Sequence, residues 1–591
     1  MFTVTPVQGF ILQSRKVKDM YESSILLSHI IENVINGLQS NFTGRFKLIF
    51  PAKEVKTKPN RMLCKINCEN VKEVGNMCKQ YALECISKRI NYVLESIGKE
   101  KDTNFSNEFE TQVNNYFNYY WAAEEFTEEI SIYRDKYLEL EKLMGAIKNI
   151  KNFNQPGKNQ EGEAGRKCSL CGERDALIYK PKPESVYPAY LNKSAKIDYK
   201  GNLIDINEGL CAVCSIKRLY STKKEKYSTT AEIALMDTIF KIDNDTILEP
   251  YRKIFNSNFD EQLYFKENLS NDYFDKNGIS RKYLDTALSL YSNIEKQGKL
   301  VKAKFSKYYA IIMFDGDNMG KWLSGDSNFL KGDVDLEKFH NVFSRKLGEF
   351  GNNLYNDENL KFPKAKIIYS GGDDFLGFIN LTHLFDTLIL LHKQFREKVS
   401  KDDELLNFKN ESKCALTLSA GITIAHYKAP LNMVLSNVRK SEKQAKGTDE
   451  DVNKKDRFNI SVLKHSGEYL EFRYKWESIT NAEVFSMCNV LKQISVTLKN
   501  NYFSNNFIKN LQKELAIFKE IKYNDEQNLS DIVEIEIKRL VKRSELKSND
   551  IKKTKFEDLL KNVVVLYRNS ENLENFLHTL EAIDFIRKEI N

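Results

Sequence analysis

The most restrictive feature of this sequence is the stretch IIYSGGDDFLGF at residues 367–378. Two apolar runs of the kind found in β-strands flank two glycines and two aspartates, a pattern typical of a tight hairpin. Glycine accepts backbone conformations closed to other residues and lets the chain approach a ligand closely. Asp373 and Asp374 then lie together at the turn, where like charges repel unless a proton or a cation lies between them. The hairpin therefore predicts a divalent-cation site.

A second acidic turn, IIMFDGDNMG at residues 311–320, closes another apolar run. Asp315 ends the predicted strand, and Asp317 would share its face if the chain stayed extended. A pair of Mg²⁺ or Mn²⁺ ions held by carboxylates can activate an attacking hydroxyl and neutralise a leaving pyrophosphate. We therefore expect Asp315, Asp373 and Asp374 to be catalytic and to bind two such ions. The alternative is that Gly-Gly-Asp-Asp is an ordinary hairpin turn, where both residue types are common.

The helix predicted at 431–446 has a basic flank beside its apolar stripe. Arg439, Lys443 and Lys446 recur along one side at helical spacing, which suits the phosphates of a nucleotide but is also typical of a solvated helix face. Lys446 is the preferred phosphate ligand of the three. The backbone of the two acidic turns is the other candidate phosphate site. The full set of nucleotide-binding candidates is Gly316, Asp317, Asn318, Ser370, Gly371, Gly372 and Lys446.

Two C-x-x-C pairs form the strongest local motif of the chain. Cys168 and Cys171 make the first pair, and Cys211 and Cys214 make the second. Together the pairs offer four thiolates, which complete a tetrahedral Zn²⁺ site and leave no open position, so the metal would be structural. Redox activity is the alternative, but no thioredoxin-like pattern surrounds either pair. The other cysteines are expected to be core residues: Cys64, Cys68, Cys78, Cys85, Cys414 and Cys488.

At 591 residues the chain is too long for one hydrophobic core, so several domains are expected. Two stretches share the order strand, helix, hairpin, helix, and the first lacks the acids of the second. This indicates either a degenerate duplication or two occurrences of a common fold. The pattern is helical at 105–150 and again from 478 onward. The expected α+β divisions are an α/β unit with a helical extension (1–150), a linker (151–167), a mostly helical zinc-binding domain (168–300), a second α/β unit with the acidic turns (301–470) and a helical C-terminal domain (471–591).

The composition argues against some classes of protein. The charged fraction is 29%, no long apolar run occurs and the N-terminus lacks a secretory pattern, so we expect a cytoplasmic protein with no membrane partner. A net charge of +8 permits contact with nucleic acid without requiring it. The strongest basic cluster, SIKRLYSTKKEK at 215–226, is either a solvated surface or a patch that faces RNA.

Several motifs together resemble the palm domain of the CRISPR polymerase family, the large subunits of type III CRISPR effector complexes. They are SGGDDF, FDGDNMG, the SAG of residues 419–421 and the helix PLNMVLSNVRKSEKQAK. The opening TVTPVQGFILQSRKVKDMYESSILLS resembles the first palm of the Cmr-type (III-B) branch. The resemblance implies two ferredoxin-like palm domains, of which the first is degenerate, with a zinc-binding region between them.

The resemblance also implies a function, that of a metal-dependent nucleotidyltransferase that uses ATP. Such a subunit makes cyclic oligoadenylate, or joins AMP to S-adenosylmethionine, when the guide pairs with target RNA. The implied partners are the backbone and small helical subunits of a Cmr-type complex, guide CRISPR RNA and target RNA. None of the seven histidines is followed by Asp, so an HD nuclease site and DNA cleavage are not expected.

Three other functions remain open on the residues alone. A diguanylate cyclase would share the acidic hairpin, but it would use GTP and would not need the cysteine pairs or the first α/β unit. A template-dependent RNA polymerase would need finger and thumb domains that the pattern does not indicate. A non-catalytic RNA-binding scaffold would have no need of the three aspartates.

Overall fold

The computed structural model describes residues 1–125, 130–150, 165–181, 197–199, 201, 203–222, 227–410, 415–447, 455–480, 482–499, 507–519, 526–543 and 550–590. Most of the predicted linker, residues 151–164, and Cys414 lie outside these ranges. Within them, no helix combines the length and the apolar character needed to cross a membrane.

The first α/β unit is built on a four-stranded sheet in the order β2-β3-β1-β4, with antiparallel neighbours throughout. Its elements are β1 (Phe2–Thr5), α1 (Gln8–Leu12), α2 (Val17–Asn41), β2 (Phe46–Phe50), β3 (Arg61–Ile66), α3 (Val71–Ser96), α4 (Thr103–Asn114), β4 (Asn118–Trp121) and α5 (Ile130–Asn149). The predicted helices at 22–38 and 71–95 are confirmed. The prediction of helix throughout 105–150 is wrong, because the aromatic segment at 118–121 forms a strand that pairs with β1.

The stretch that contains the cysteine pairs divides between two cores. Its elements are β5 (Ile178–Tyr179), β6 (Ile197–Asp198), β7 (Gly209–Leu210), α6 (Ala212–Arg218), α7 (Thr230–Ile242), α8 (Asp245–Phe255), α9 (Asn271–Lys276) and α10 (Leu284–Leu300). The cysteines and α6 share a core with the first sheet, whereas α8, α9 and α10 belong to a separate core. The single domain predicted at 168–300 is therefore not observed. All residues of helix α6 are buried, because elements of the first unit pack against it.

The second α/β unit has a six-stranded sheet in the order β13-β12-β11-β8-β10-β9. Its elements are β8 (Tyr308–Gly316), α11 (Met319–Leu323), α12 (Leu336–Asn356), β9 (Ala365–Ser370), β10 (Phe375–Asn380), α13 (Leu384–Phe395), α14 (Asp403–Leu406), β11 (Leu418–His426), α15 (Leu431–Lys446), β12 (Arg457–Leu463) and β13 (Tyr469–Lys475). The order β9-β10-β8-β11 repeats β2-β3-β1-β4 of the first unit, so both units share one topology. The predicted hairpin at 367–378 is confirmed.

The C-terminal part begins with a hairpin and continues as helices. Its elements are β14 (Glu477–Thr480), β15 (Glu483–Ser486), α16 (Met487–Lys499), α17 (Phe507–Leu515), α18 (Glu526–Arg543), α19 (Asp550–Arg568) and α20 (Leu573–Ile590). The expectation of helix alone from 478 is therefore wrong at 478–486, where most of this hairpin lies. The boundary placed at 470 falls inside β13, which pairs with β12 and belongs to the second sheet. Apolar residues of α16 to α20 share a core with one face of that sheet.

A buried network of charges joins helix α2 to the cysteine region. Arg218 is fully buried and donates to both carboxylate oxygens of Asp19, at 2.5 and 2.7 Å, and to Glu208 at 2.9 Å. Lys217, also fully buried, donates to the carbonyl oxygens of Phe10 and Gln13 at 2.8 and 2.7 Å. These two residues are thus structural, and neither the solvated-surface nor the RNA-facing interpretation of the basic cluster holds for them.

Removal of the Arg218 guanidinium should strongly destabilise the first unit. In Arg218→Met, Asp19 and Glu208 would stay buried without a counter-ion, which costs about 3–5 kcal/mol. Burial acts to raise the pKa of Asp19, but Arg218 outweighs it and lowers the pKa, so this contribution to stability is present at neutral pH and is lost as the pH falls below the ordinary range of an aspartate. Urea unfolding at pH 7 measures the loss. Asp272→Ala, which breaks an exposed pair with Lys276, should leave the midpoint unchanged; an equal shift in both variants would contradict the prediction.

Candidate active site and zinc site

Strand β8 carries Asp315 to the same end of the second sheet as the hairpin turn. Its neighbours are β10 on one side and β11 on the other, with Phe314 opposite Phe375 and Asp315 opposite Ser419. Because Phe375 directly follows the acidic turn, the pairing of β8 with β10 brings Asp315 beside that turn. We call residues 370–374 the acidic turn. The sheet register therefore brings together the acids of the two predicted turns.

The geometry of the acidic turn explains its two glycines. The backbone N–H of Gly371 donates to the carbonyl of Asp374 at 2.9 Å, which closes the turn. Gly372 has φ of +107°, a conformation that residues with a side chain rarely adopt. The phenol of Tyr369 occupies the space where a Cβ of Gly371 would lie. A substitution at either glycine would therefore displace the backbone that carries Asp373 and Asp374.

The carboxylates at the turn act on one another. The protein atoms around Asp373 and the charge of Asp315 raise the pKa of Asp373 to about 6. The pKa of Asp374 is raised well above its usual range by the same causes, by Asp373 and by a hydrogen bond with Asp315. The side chain of Asp374 is exposed, so solvent or a ligand can reach its carboxyl group. A shared proton or a bound cation is what such a group of acids requires.

Lys446 supplies positive charge to this group. Its ammonium group forms ion pairs with Asp315 and with Glu442, the latter at 3.0 Å. Burial acts to lower the pKa of Lys446, but the two carboxylates outweigh it and raise the pKa, so the side chain is charged. Helix α15 can bring Lys446 this close because its backbone at Val438 and Glu442 packs directly against the Cα of Gly421 on β11, where no side chain would fit.

The structure corrects the expected role of Asp317. Its side chain is buried, and Oδ2 accepts hydrogen bonds from the hydroxyls of Thr417 and Ser419 at 2.8 and 3.1 Å and from the N–H of Asp456 at 3.0 Å. Asp317 therefore holds the end of β8 to β11 and to the residue before β12 through Oδ2, whereas Oδ1 is buried with no hydrogen-bond partner among the described residues. The chain leaves the extended conformation at the next residue, Asn318, whose φ is +58°.

The remaining candidates divide between open and buried positions. Asn318 is half-buried and accepts a hydrogen bond from Lys455 at 2.7 Å. Gly316, Ser370, Gly371 and Gly372 are buried, and among the described residues the Ser370 hydroxyl has no hydrogen-bond partner. Arg439 is half-buried and Lys443 exposed, so the solvated-face interpretation holds for Lys443.

Carboxylate oxygens are the ligands that Mg²⁺ and Mn²⁺ prefer, so the donor set of Asp315, Asp373 and Asp374 fits these ions. In the described structure, however, the carboxylate oxygens of the three aspartates are not all within 4.8 Å of one another. The hydrogen bond between Asp315 and Asp374 shows that this pair is in contact. A cation would be held by Asp315 and Asp374, and the side chain of Asp373 would have to move closer to bind it as well.

The four cysteines do form one cluster. The Sγ atoms of Cys168, Cys171, Cys211 and Cys214 all lie within 4.8 Å of one another, and no other group of potential ligands in the described part of the chain is so compact. Backbone N–H groups of Leu170 and Cys214 point at Sγ of Cys168 and Cys211, at 3.4 Å each, as in the turns that hold metal-bound thiolates. Burial raises the pKa of the Cys211 thiol, which a cation among the sulfurs would reverse. The cluster fits a structural Zn²⁺ ion.

Two family models match the chain. One, described as "Cas10/Cmr2, second palm domain", matches residues 308–458, which span the second sheet from β8 to the start of β12. The other, described as "CRISPR-associated protein Cmr2, N-terminal", matches residues 1–131, which contain the first sheet. Two domains of the chain, at residues 1–131 and 308–458, thus match models of the Cmr2 family. The resemblance to the Cmr-type branch of the CRISPR polymerase family is thereby confirmed.

Individual relatives agree with this assignment. The CRISPR system Cmr subunit Cmr2 of Pyrococcus furiosus is 23% identical over 589 aligned positions, which take in 80% of this chain and 62% of the relative. The chain thus spans less than two thirds of that curated relative. Among solved structures, the type III-B Cmr-beta complex bound to cognate target RNA contains a chain similar over 99% of this one and 82% of its own length, with 15% identity and a TM-score of 0.63. The apo state of Cmr-beta gives a TM-score of 0.60 at 15% identity.

Four residues of the site were not singled out from the sequence. Tyr369 packs over Gly371, Glu442 shares Lys446 with Asp315, Gly421 admits helix α15, and Asp456 holds Asp317 through its N–H. The i, i+4 spacing of Glu442 and Lys446 was a visible signal. Tyr369 lies within the hairpin motif and Gly421 within the SAG motif, but neither pattern indicated its role. The roles of Gly421 and Asp456 depend on contacts between distant segments.

Replacement of one clustered cysteine should release the metal. Cys211→Ser should lower bound zinc from one ion per chain to almost none and destabilise the core that α6 shares with the first sheet. Cys68→Ser changes a half-buried cysteine outside the cluster and serves as the matched control. Elemental analysis of the purified variants measures the zinc. Full zinc occupancy in Cys211→Ser would show that the four thiols are not the ligands.

The affinity for Mn²⁺ should depend on pH. Because the pKa of Asp373 is raised to about 6, a bound cation must displace a proton below that pH, and the affinity should rise about tenfold per pH unit on the acidic side. Titration of Mn²⁺ by electron paramagnetic resonance between pH 5 and 7.5 tests this. Asp373→Asn should bind more weakly and show a smaller dependence on pH, since the pKa of Asp374 is also raised and its proton must still be displaced. A constant affinity across the range would contradict the raised pKa as a determinant of binding.

Proposed function

We propose that this chain is the large subunit of a type III-B CRISPR effector complex and makes a nucleotide second messenger from ATP in antiviral defence. One observation carries the proposal. Asp315 on β8 and the acidic turn between β9 and β10 converge at one end of the second sheet, with the charged Lys446 in contact with Asp315. A group of carboxylates with one adjacent lysine suits divalent cations that carry a triphosphate.

Each residue of the site has a distinct part in this proposal. Asp315, Asp373 and Asp374 would hold two Mg²⁺ or Mn²⁺ ions, which when bound activate a 3′-hydroxyl and stabilise the charge on pyrophosphate. Lys446 would exchange its pairing with Asp315 for the phosphates of ATP. Backbone N–H groups of Gly316, Asn318 and Gly372 are the candidates for further phosphate contacts. Asp317 keeps β8, β11 and the start of β12 aligned.

The reaction would be an adenylyl transfer in which the 3′-hydroxyl of one nucleotide attacks the α-phosphate of ATP. The new bond joins oxygen to phosphorus, and pyrophosphate leaves with the electrons of the broken bond. Repeated transfer and closure would give cyclic oligoadenylate, whereas S-adenosylmethionine as acceptor would give its conjugate with AMP. The similarity to a subunit named Cmr2, and to a chain of the Cmr-beta complex bound to cognate target RNA, supports other Cmr-type subunits, guide RNA and target RNA as partners.

Loss of one turn carboxylate should abolish product formation. The assembled complex with guide and target RNA is incubated with labelled ATP or GTP, with and without S-adenosylmethionine, and the products are identified by mass spectrometry. Asp373→Ala should reduce the rate by at least about a thousandfold, since the carboxylates act as a unit. Asp333→Ala, an exposed aspartate of the same unit, is the control and should be fully active. A product from GTP alone would favour a diguanylate-cyclase-like enzyme, and no product from either nucleotide would favour a non-catalytic RNA-binding scaffold.

A further inference from the structure

Helix α12 contains two glycines that its helical role does not explain. Glycine inside a helix costs about 1 kcal/mol relative to alanine, so its presence points to a close approach by a neighbour. A Cβ at Gly348 would overlap the side chain of Val55 from the first unit. A Cβ at Gly351 would lie 3.1 Å from the hydroxyl and 3.3 Å from the carbonyl oxygen of Ser370, the first residue of the acidic turn. The helix therefore lies directly against both the first unit and the turn.

The contact with the first unit is made by residues 51–58, which follow β2 and which we call the β2–β3 loop. The N–H of Ala52 donates to the hydroxyl of Ser344 at 2.7 Å. The side chain of Asn352 accepts from the N–H of Lys56 at 3.1 Å and donates to the carbonyl of Glu54 at 2.9 Å. The loop is itself held by its own lysine, because the Lys58 ammonium donates to three loop carbonyls at 2.5, 2.7 and 3.3 Å. The β2–β3 loop thus packs against α12 and is held in place by its own hydrogen bonds.

Helix α12 also contacts the acidic turn, through residues adjacent to those that contact the loop. Leu347 would be 3.3 Å from a Cβ at Gly372, and Gly351 faces Ser370. Among the described residues, β9 is an edge strand of the sheet. Helix α12 packs on a face of that sheet, where Phe350 contacts Phe314 of β8, and it reaches Ser370 at the end of β9.

Tyr355 connects the two contacts. Its hydroxyl is 2.9 Å from the hydroxyl of Thr57 in the β2–β3 loop. Burial raises the pKa of Tyr355, while the Thr57 hydroxyl and the backbone of Ser370 both interact with the phenol oxygen and act against that rise. One phenol therefore touches the first unit and the acidic turn at the same time.

We propose that Tyr355 is a positioning residue, which fixes the acidic turn against the β2–β3 loop of the first unit. The first unit lacks the acids of the second. Through this contact, the first unit helps to fix the position of the acids in the second unit. The position of the acidic turn then depends on the contacts of Tyr355 with the β2–β3 loop and with Ser370. The catalytic consequence of this positioning rests on the proposed function, whereas its structural consequence does not.

Hydrogen–deuterium exchange measures the structural consequence in the full chain without any nucleotide. Tyr355→Phe and Thr57→Val each remove one hydroxyl of the pair, and amide exchange at residues 370–374 should become about fivefold faster in both, as expected for the loss of one hydrogen bond. Thr57→Ser keeps a hydroxyl and should exchange as the unmodified chain does. Tyr251→Phe removes a buried hydroxyl that donates to the carbonyl of Leu263, far from the turn, and is the matched control. Its exchange at 370–374 should be unchanged.

The double variant and the activity assay complete the test. Because Thr57 and Tyr355 share one interaction, Thr57→Val should add almost nothing in the Tyr355→Phe background. In the assembled complex, Tyr355→Phe should lower kcat several-fold while KM for ATP changes less than twofold. The positioning role is overturned if amide exchange at residues 370–374 is unchanged in Tyr355→Phe. It is also overturned if exchange there is accelerated equally in Tyr251→Phe. A complex that makes no nucleotide product overturns the proposed function and leaves the exchange result to decide on Tyr355.

Discussion

Repulsion among three carboxylates at one end of the second sheet is the constraint on which the rest of the site depends. Asp315 arrives on a buried strand, and Asp373 and Asp374 arrive on a turn closed by a 2.9 Å backbone hydrogen bond. A group of neighbouring like charges needs compensating charge. Lys446 provides part of it, and for this α15 must approach β11 closely enough to require Gly421. The proposed cations would provide the rest.

A second set of buried charges holds the first unit and the cysteine region together. Arg218 follows the second cysteine pair by four residues and is buried against Asp19 on α2. Arg89 of α3 pairs with Glu22 of α2 at 3.2 Å. Residues of α2 such as Val17 and Met20 also share a core with β9, the strand that leads into the acidic turn. A metal at the cysteine cluster would thus stabilise a path of packed elements that ends beside the site, which is a structural role for the ion.

Both acidic turns, the two repeated α/β patterns and the four cysteine ligands could be predicted because each is encoded within a few neighbouring residues. Gly-Gly between apolar runs specifies a hairpin, and two C-x-x-C pairs specify a cluster. The strand at 118–121 was missed because four residues without alternation resemble a helix segment, and only pairing with β1 makes them a strand. A run of charges does not indicate that Lys217 and Arg218 are buried, because the carbonyls and acids that satisfy them come from distant parts of the chain.

The sequence by itself determined which residues could hold cations, which thiols could bind zinc and to which family the motifs belong. The tertiary structure decided which of these residues face one another. Asp315 and Asp317 are two positions apart, yet the first contacts Lys446 and Asp374, whereas the second is buried under Thr417, Ser419 and Asp456. The physical reason is that the environment of a carboxylate is set by long-range contacts, since hydrogen-bond donors from distant segments determine whether it is satisfied or free to bind.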